Sequence, residues 1–315
     1  MKVSSILSRL LGGLIVLWLV SVLTFGLIQL VPGDPAEIAA GDSATPETVA
    51  AIRQQLGLDR PIIEQYTTWF GNVLQGDMGS SLFTGEPVTE AILRSAPATL
   101  SITLLALVIA VGLGVPAGIV AGLRQGSWLD RAVSTLATVG IAMPGFWVGM
   151  LLILMFALVN PWLPATGYEP LSEGVDLWLQ HAIIPATALG LATGAELARH
   201  ARGCVADVLS RPYIRTARAR GSGSFWLVRH HILRNAAIPV VTVLGLQAGR
   251  LLGGAIIIEL VCGIQGLGTL TINSILQRDF PVLQGYVLFA AAIVVAVNLL
   301  VDGLYGWLNP KVRTA

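Results

Sequence analysis

Long apolar stretches separated by short polar ones run along almost the whole chain. A membrane helix needs ~20 mainly apolar residues. Six stretches meet that length: residues 10–31, 98–123, 132–159, a fourth from near 177 that continues past 199, a fifth over about 235–262 and a sixth over about 282–308. Lys2 and Arg9 precede the first stretch as they would a signal peptide. The run is longer than a typical signal core of roughly 7–15 residues and no clear A-x-A cleavage site follows directly, so it reads as a retained helix.

Between the first two stretches, residues 32–97 are too long for a simple turn. Thr45-Pro46-Glu47 has the form of a helix start, with Thr as N-cap and Pro at the first helical position. Val49, Ile52 and Leu56 then fall on one face, and Gly57 suits a C-terminal cap. Ile62, Tyr66, Trp69 and Val73 suggest a second helix. An apolar stripe of this kind is ordinarily a packing face, and packing on the membrane part is the reading preferred over substrate contact. Pro116, Pro144, Pro185 and Pro239 fall inside apolar stretches, where proline removes a backbone bond and kinks a helix. Glycines such as Gly112, Gly114, Gly118, Gly122, Gly253 and Gly254 permit close helix approach.

Composition agrees with the pattern. Of 315 residues, 54% are hydrophobic and 12% charged, against about 25% charged in soluble domains. The fold class expected is an all-α polytopic membrane protein of six transmembrane helices. It divides into residues 1–31 (terminus and first helix), 32–97 (a mainly helical outer segment) and 98–315 (a five-helix core with a basic loop at about 200–234).

The net charge of +1 says little, but its distribution says more. Between 199 and 234 stand Arg199, Arg202, Arg211, Arg215, Arg218, Arg220, Arg229 and Arg234, with Asp207 the one carboxylate. Lys2 and Arg9, Arg124 and Arg131, this arginine group, and Lys311 and Arg313 all fall on one side if there are six spans. Basic loops stay cytoplasmic, so both termini are placed there. Residues 32–97 carry Asp34, Glu37, Asp42, Glu47, Asp59, Glu64, Asp77, Glu86 and Glu90 against Arg53, Arg60 and Arg94, and form the outer face. Inside the basic loop, Tyr213 to Gly221 is a short helix-compatible segment closed by glycine, a place for a soluble partner to dock.

Catalytic motifs are missing. A Walker A loop needs Gly-x-x-x-x-Gly-Lys-Ser/Thr, and the chain's two lysines, Lys2 and Lys311, stand in no such context. His230-His231 are adjacent rather than a turn apart, so they do not share a helix face. Metal sites and enzyme activity are therefore not expected. Cys204 and Cys262 are expected on opposite sides of the membrane, unpaired, as small apolar filler. Charges in or near the spans remain: Glu196, Arg250, Glu259 and Asp302. Intramembrane charge is costly and marks function by default. Arg250, near the middle of the fifth stretch, is the strongest case and calls for a polar cavity or a carboxylate partner. Asp302, near a span end, reads as solvated.

Several segments together resemble the permease subunit of the dipeptide/oligopeptide class of ABC importers, over nearly the full length. They are Leu30-Val-Pro-Gly-Asp-Pro35, Gly57-Leu-Asp-Arg-Pro61 with Tyr66 and Trp69, Gly76-Asp-Met-Gly-Ser-Ser81, Ala96-Pro-Ala-Thr-Leu100, Met143-Pro-Gly-Phe146, Tyr213 to Gly221 with Arg229-His230 and Arg234-Asn235, Glu259 with Gly266-Leu-Gly268, Asp279-Phe-Pro281, Asn298 to Asp302 and Asn309-Pro310. The chain departs from the wider importer pattern at Arg215-Thr216-Ala217 and Arg234, and has Cys262 and Gln265 where Phe and Pro are usual.

The resemblance implies half of a translocation pathway in the bacterial inner membrane. The partners it implies are a second homologous permease, two ATPase subunits (or one fused) and an extracytoplasmic binding protein, with membrane lipid around it and no nucleic acid. No cofactor is expected in this chain, since ATP and Mg would sit on the ATPases. It also implies ATPase coupling by Tyr213, Arg215, Thr216, Ala217, Arg218 and Gly221. Met143, Phe146, Trp147, Arg250 and Glu259 are candidates for lining or gating the pathway, while Arg202 and Arg211 are read as topology signals alone. Peptides are the expected cargo, with nickel complexes, glutathione and haem as alternatives. A stand-alone transporter or channel and a membrane scaffold are the competing classes.

Overall fold

The computed structural model describes residues 3–30, 33–41, 44–221, 223–227 and 233–308. Lys2, Lys311, Arg313, Arg229, the His230-His231 pair and Asn309-Pro310 lie outside the described residues. The helices are, in chain order, α1 (Val3–Gln29), α2 (Pro35–Ala40), α3 (Pro46–Gln55), α4 (Ile62–Leu74), α5 (Val88–Leu123), α6 (Trp128–Ala142), α7 (Gly145–Ile153), α8 (Val175–Ser210), α9 (Pro212–Ala219), α10 (Ser224–Leu227), α11 (Leu233–Val261), α12 (Leu267–Gln277) and α13 (Phe280–Leu308). Among the described residues four helices are long and apolar enough to cross a membrane, and six spans result if each of two bent pairs counts as one.

The third span is not the continuous helix expected over 132–159. The chain turns through 98° between α6 and α7. Met143 is extended (φ −80°, ψ 127°), as the residue before a proline prefers, and Pro144 opens α7 with its carbonyl accepting from Trp147 N and Val148 N. α7 then loosens into a π-helical turn, Leu154–Val159. Pro185 sits inside an unbroken α8 and Pro116 inside an unbroken α5. α5 also starts ten residues before the expected 98, because Val88, Ala91, Ile92 and Ala96 continue its apolar face across Arg94.

The chain divides into two compact units. One is built on Leu7–Pro97 and Gln265–Val295, the other on Ala98–Ile264. In the first unit Asp34 and Thr45 cap α2 and α3, accepting from Ala36 N (3.0 Å) and Thr48 N (3.3 Å), and Asp34 also pairs with Arg53. α4 packs on α1 through Phe25, Tyr66 and Trp69, with Ser21 and Tyr66 hydroxyls 2.9 Å apart. The buried Asp279 carboxylate accepts from Ser81 Oγ and from Leu82 N. Two short motifs nearly 200 residues apart are thus one structural joint. Around it lie Val88, Ile92, Leu267 and Val282. α12 falls where the sequence pattern suggests a loop. Its Gly, Thr and Asn residues are poor helix formers, and burial of Leu267, Thr271 and Ser274 overrides them.

In the second unit α8 is the axis, packed against α6, α7 and α11. α5 approaches it backbone to backbone. A Cβ at Gly114 would run into the Gly194 carbonyl, one at Gly118 into that of Ala198, and one at Gly190 would lie 2.7 Å from the Ala106 oxygen. Ile102, Val148, Leu189, Leu251 and Ile258 fill the core between these helices.

Candidate functional site

A cavity of about 260 Å³ opens between α7, α8 and α11. Small residues make the room: Gly145 at the break, Ala188 and Ala192 on α8, Gly254 on α11. Its polar wall is Thr193, Glu196, Gln247 and Arg250. Gln247, 4% exposed, donates from Nε2 to Glu196 Oε2. Arg250 Nη1 stands 3.6 Å from the same oxygen, with 72% of its side chain exposed against 25% for Glu196. The arginine that the sequence singles out therefore does meet both a cavity and a carboxylate. Gln247 was not foreseen, although its place one turn before Arg250 puts the two on one helix face.

The structure does not gather all the other pathway candidates at this cavity. Phe146 lines it. Met143 lines a neighbouring apolar cavity of about 360 Å³ between α5, α6 and α8, and Trp147 lines neither of the two. Glu259 is 1% exposed and accepts from Thr99 Oγ1 on α5. It is sealed in helix packing and lines neither of the two cavities. Cys204 and Cys262 are both free thiols.

Six residues beyond Glu196, α8 carries a second charge pair. Arg202 reaches Asp130 with two donors, Nε to Oδ1 and Nη2 to Oδ2, the latter at 2.9 Å. Asp130 also accepts from Gly126 N (2.9 Å), and its side chain is 6% exposed. Arg202 is therefore more than a topology signal, since it clamps the α5–α6 turn onto α8. The sequence carried a hint in Ser127, whose hydroxyl caps α6 by accepting from Asp130 N.

Two residues after α8 ends, α9 begins. Ile214 is buried and anchors it, Tyr213, Arg215 and Thr216 are exposed, and Ala217 is half-buried. Arg218 lies within the helix, and Gly221 follows it at φ +81°, the left-handed region that favours glycine. The arrangement is a long rigid helix with charges midway, a clamp below them and a small anchored helix hung from its end.

Known proteins are similar to this chain over nearly its full length. Residues 114–314 match the model of the binding-protein-dependent transport system inner membrane component, and residues 2–103 match that family's N-terminal model. The chain belongs to this family of inner-membrane permeases. The permease is 38% identical over 308 residues to a probable peptide ABC transporter permease protein of Sinorhizobium fredii, covering 98% of both chains. It is 40% identical over 313 residues to a putative peptide transport system permease protein of Brucella melitensis, covering 99% of both. It is 43% identical over 308 residues to a glutathione transport system permease protein of Escherichia coli, again with 98% of both covered. Its fold is similar to a chain of the inward-facing MetNI methionine ABC transporter, at TM-score 0.57 and 18% identity, over 69% of the permease and 96% of that chain. The permease is a multi-pass protein of the bacterial inner membrane.

Proposed function

We propose that the permease forms half of the pathway by which an ATP-driven importer brings peptides into the cell, and that it performs no catalysis itself. A second homologous permease supplies the other half. Two ATPase subunits bind ATP and Mg on the cytoplasmic side, and an extracytoplasmic binding protein delivers the solute. The names carried by the Sinorhizobium and Brucella relatives support peptides as cargo, and that of the Escherichia coli relative supports glutathione, itself a peptide.

The observation that carries the mechanism is that one helix bears both working parts. α8 lines the charged cavity at Glu196 and ends at Ser210, two residues before α9. Those 14 residues span about 21 Å at 1.5 Å per residue. A displacement of α9 by a moving ATPase is therefore passed along a single rigid rod to the cavity wall. Tyr213, Arg215 and Thr216 present the contact face, Ile214 ties it to the permease, and Gly221 ends it. Phe146 at the α6–α7 break and Arg250 on α11 line the part of the pathway that this rod moves against.

Tagged wild-type permease and Gly221→Asp, drawn from detergent-solubilised membranes, test the reading. Wild type is expected to bring down an ATPase and a second permease, and the variant to lose the ATPase or hold it uncoupled. Recovery of the wild-type chain alone, or only with copies of itself, would overturn the importer reading in favour of a stand-alone transporter.

A further inference from the structure

We infer that Glu196 and Arg250 form a recognition site for a solute with an ammonium and a carboxylate on one carbon, the head of a γ-glutamyl peptide such as glutathione. This rests on the importer reading and narrows its substrate.

The argument starts from the state of the two charges. Buried Gln247 holds the Glu196 carboxylate in one orientation. Arg250 stands beside that carboxylate at 3.6 Å, beyond hydrogen-bond length, with most of its side chain exposed and lining the cavity. A guanidinium has five donors in a planar fork suited to bidentate capture of a carboxylate. An arginine and a glutamate kept side by side, with most of the fork uncommitted, offer an anion site and a cation site in contact with each other. The rest of the wall is apolar apart from Thr193, whose hydroxyl bonds back to Leu189 O, so no other charged group lines the cavity.

Their adjacency selects the ligand. On a free amino-acid head the ammonium nitrogen and carboxylate carbon are about 2.5 Å apart, being joined through one Cα. Such a head reaches both side chains at once. The two termini of an extended α-linked tripeptide lie roughly 10 Å apart and cannot. A γ-glutamyl peptide leaves its α-ammonium and α-carboxylate together, because its chain departs through the side-chain carboxyl group. Bonds in which both partners are charged are stronger than neutral ones, so loss of either charge on the ligand is costly.

The test uses the assembled complex of both permeases and the ATPases in lipid nanodiscs, without the binding protein. Binding of radiolabelled glutathione is competed with α-Glu-Cys-Gly, its α-linked isomer, and with N-acetylglutathione. Wild type is expected to prefer glutathione over each by roughly 10- to 100-fold. That preference should vanish in the double variant Glu196→Gln/Arg250→Gln, which leaves no charge unpaired, and survive in part in Arg250→Lys. No saturable glutathione binding to wild type, equal binding of the isomers, or a preference that persists in the double variant would each overturn the site. The importer reading is scored separately on the same complex by ATP hydrolysis after adding loaded binding protein. Stimulated hydrolysis without isomer preference sinks the site alone, and no stimulation sinks both.

Discussion

At position 202, α8 carries an arginine held bidentately by a carboxylate that is 6% exposed. Six residues earlier the same helix carries Glu196, whose arginine partner stands off at 3.6 Å and is mostly exposed. Both are Arg–carboxylate contacts between helices of one unit. The first has the geometry that lets an ion pair repay its desolvation, with extra bonds from Gly126 N to the carboxylate. The second lacks that geometry and sits on a cavity wall. Proximity of opposite charges is thus no guide to role by itself. Saturation of their donors and acceptors is the better guide, because a pair that has satisfied itself has nothing left to offer a ligand.

The largest effect is expected where neither pair is touched. Gly114→Val pushes a side chain into the Gly194 carbonyl and forces α5 off the helix that carries both pairs. The cost should be about 3 kcal/mol or more, seen as loss of monodisperse protein on size exclusion after detergent extraction. Gly112→Val is the control, since a Cβ there meets nothing within 4 Å. Equal loss in both variants would mean that small residues here serve something other than close approach.

Next comes the closed pair. Asp130→Ala strands Arg202 and removes the acceptor for Gly126 N. Breaking a fully buried pair costs roughly 3–5 kcal/mol. With 37% of the Arg202 side chain exposed, about 2 kcal/mol is expected, read as a fall in Tm of the purified permease. Asp130→Asn/Arg202→Met should recover much of it. An unchanged Tm in Asp130→Ala would dissolve the contrast between the two pairs.

A smaller effect follows at Gly221, where a β-branched residue at φ +81° costs about 1–2 kcal/mol. Gly221→Val should lose binding-protein-stimulated ATP hydrolysis while keeping most of its thermal stability, and Gly221→Asn should retain more, because asparagine tolerates the left-handed region. Identical behaviour of the two would argue against a backbone role for this glycine.

The sequence made the spans legible because lipid demands long apolar runs, and it made α3 and α9 legible because their caps are local: Thr45-Pro46 at one start, Gly221 at one end. Asp34-Pro35 is the same signal as Thr45-Pro46, and it starts α2, which the family-like motif around it obscured. What stayed hidden was non-local. Nothing in Asp279-Phe-Pro281 says that its carboxylate bonds Ser81, and nothing near Asp130 says that Arg202 will reach it. Arg250 stood out because an arginine amid apolar residues is improbable, whereas Gln247 carries no charge and did not. The break at Pro144 was legible as a proline, but its 98° turn was not, since Pro116 and Pro185 lie in helices that continue through them.

The smallest effect on stability sharpens the comparison most. Arg250→Gln removes a guanidinium that makes one long contact with Glu196, and Gln247 remains to bond the carboxylate. Glu196 keeps a quarter of its side-chain surface, so it is not left as a fully buried charge. The change in stability should be within about 0.5 kcal/mol, as for other exposed or loosely held pairs, and Tm should barely move. Uptake of solute by the complete complex should nevertheless fall at least tenfold, the equivalent of ~1.4 kcal/mol taken from substrate or transition-state contact. Asp130→Ala is expected to do the reverse, lowering Tm while molecules that remain folded still transport. If Arg250→Gln instead lowers Tm as far as Asp130→Ala does and spares uptake, the two pairs are one structural class and the cavity has no charged recognition site.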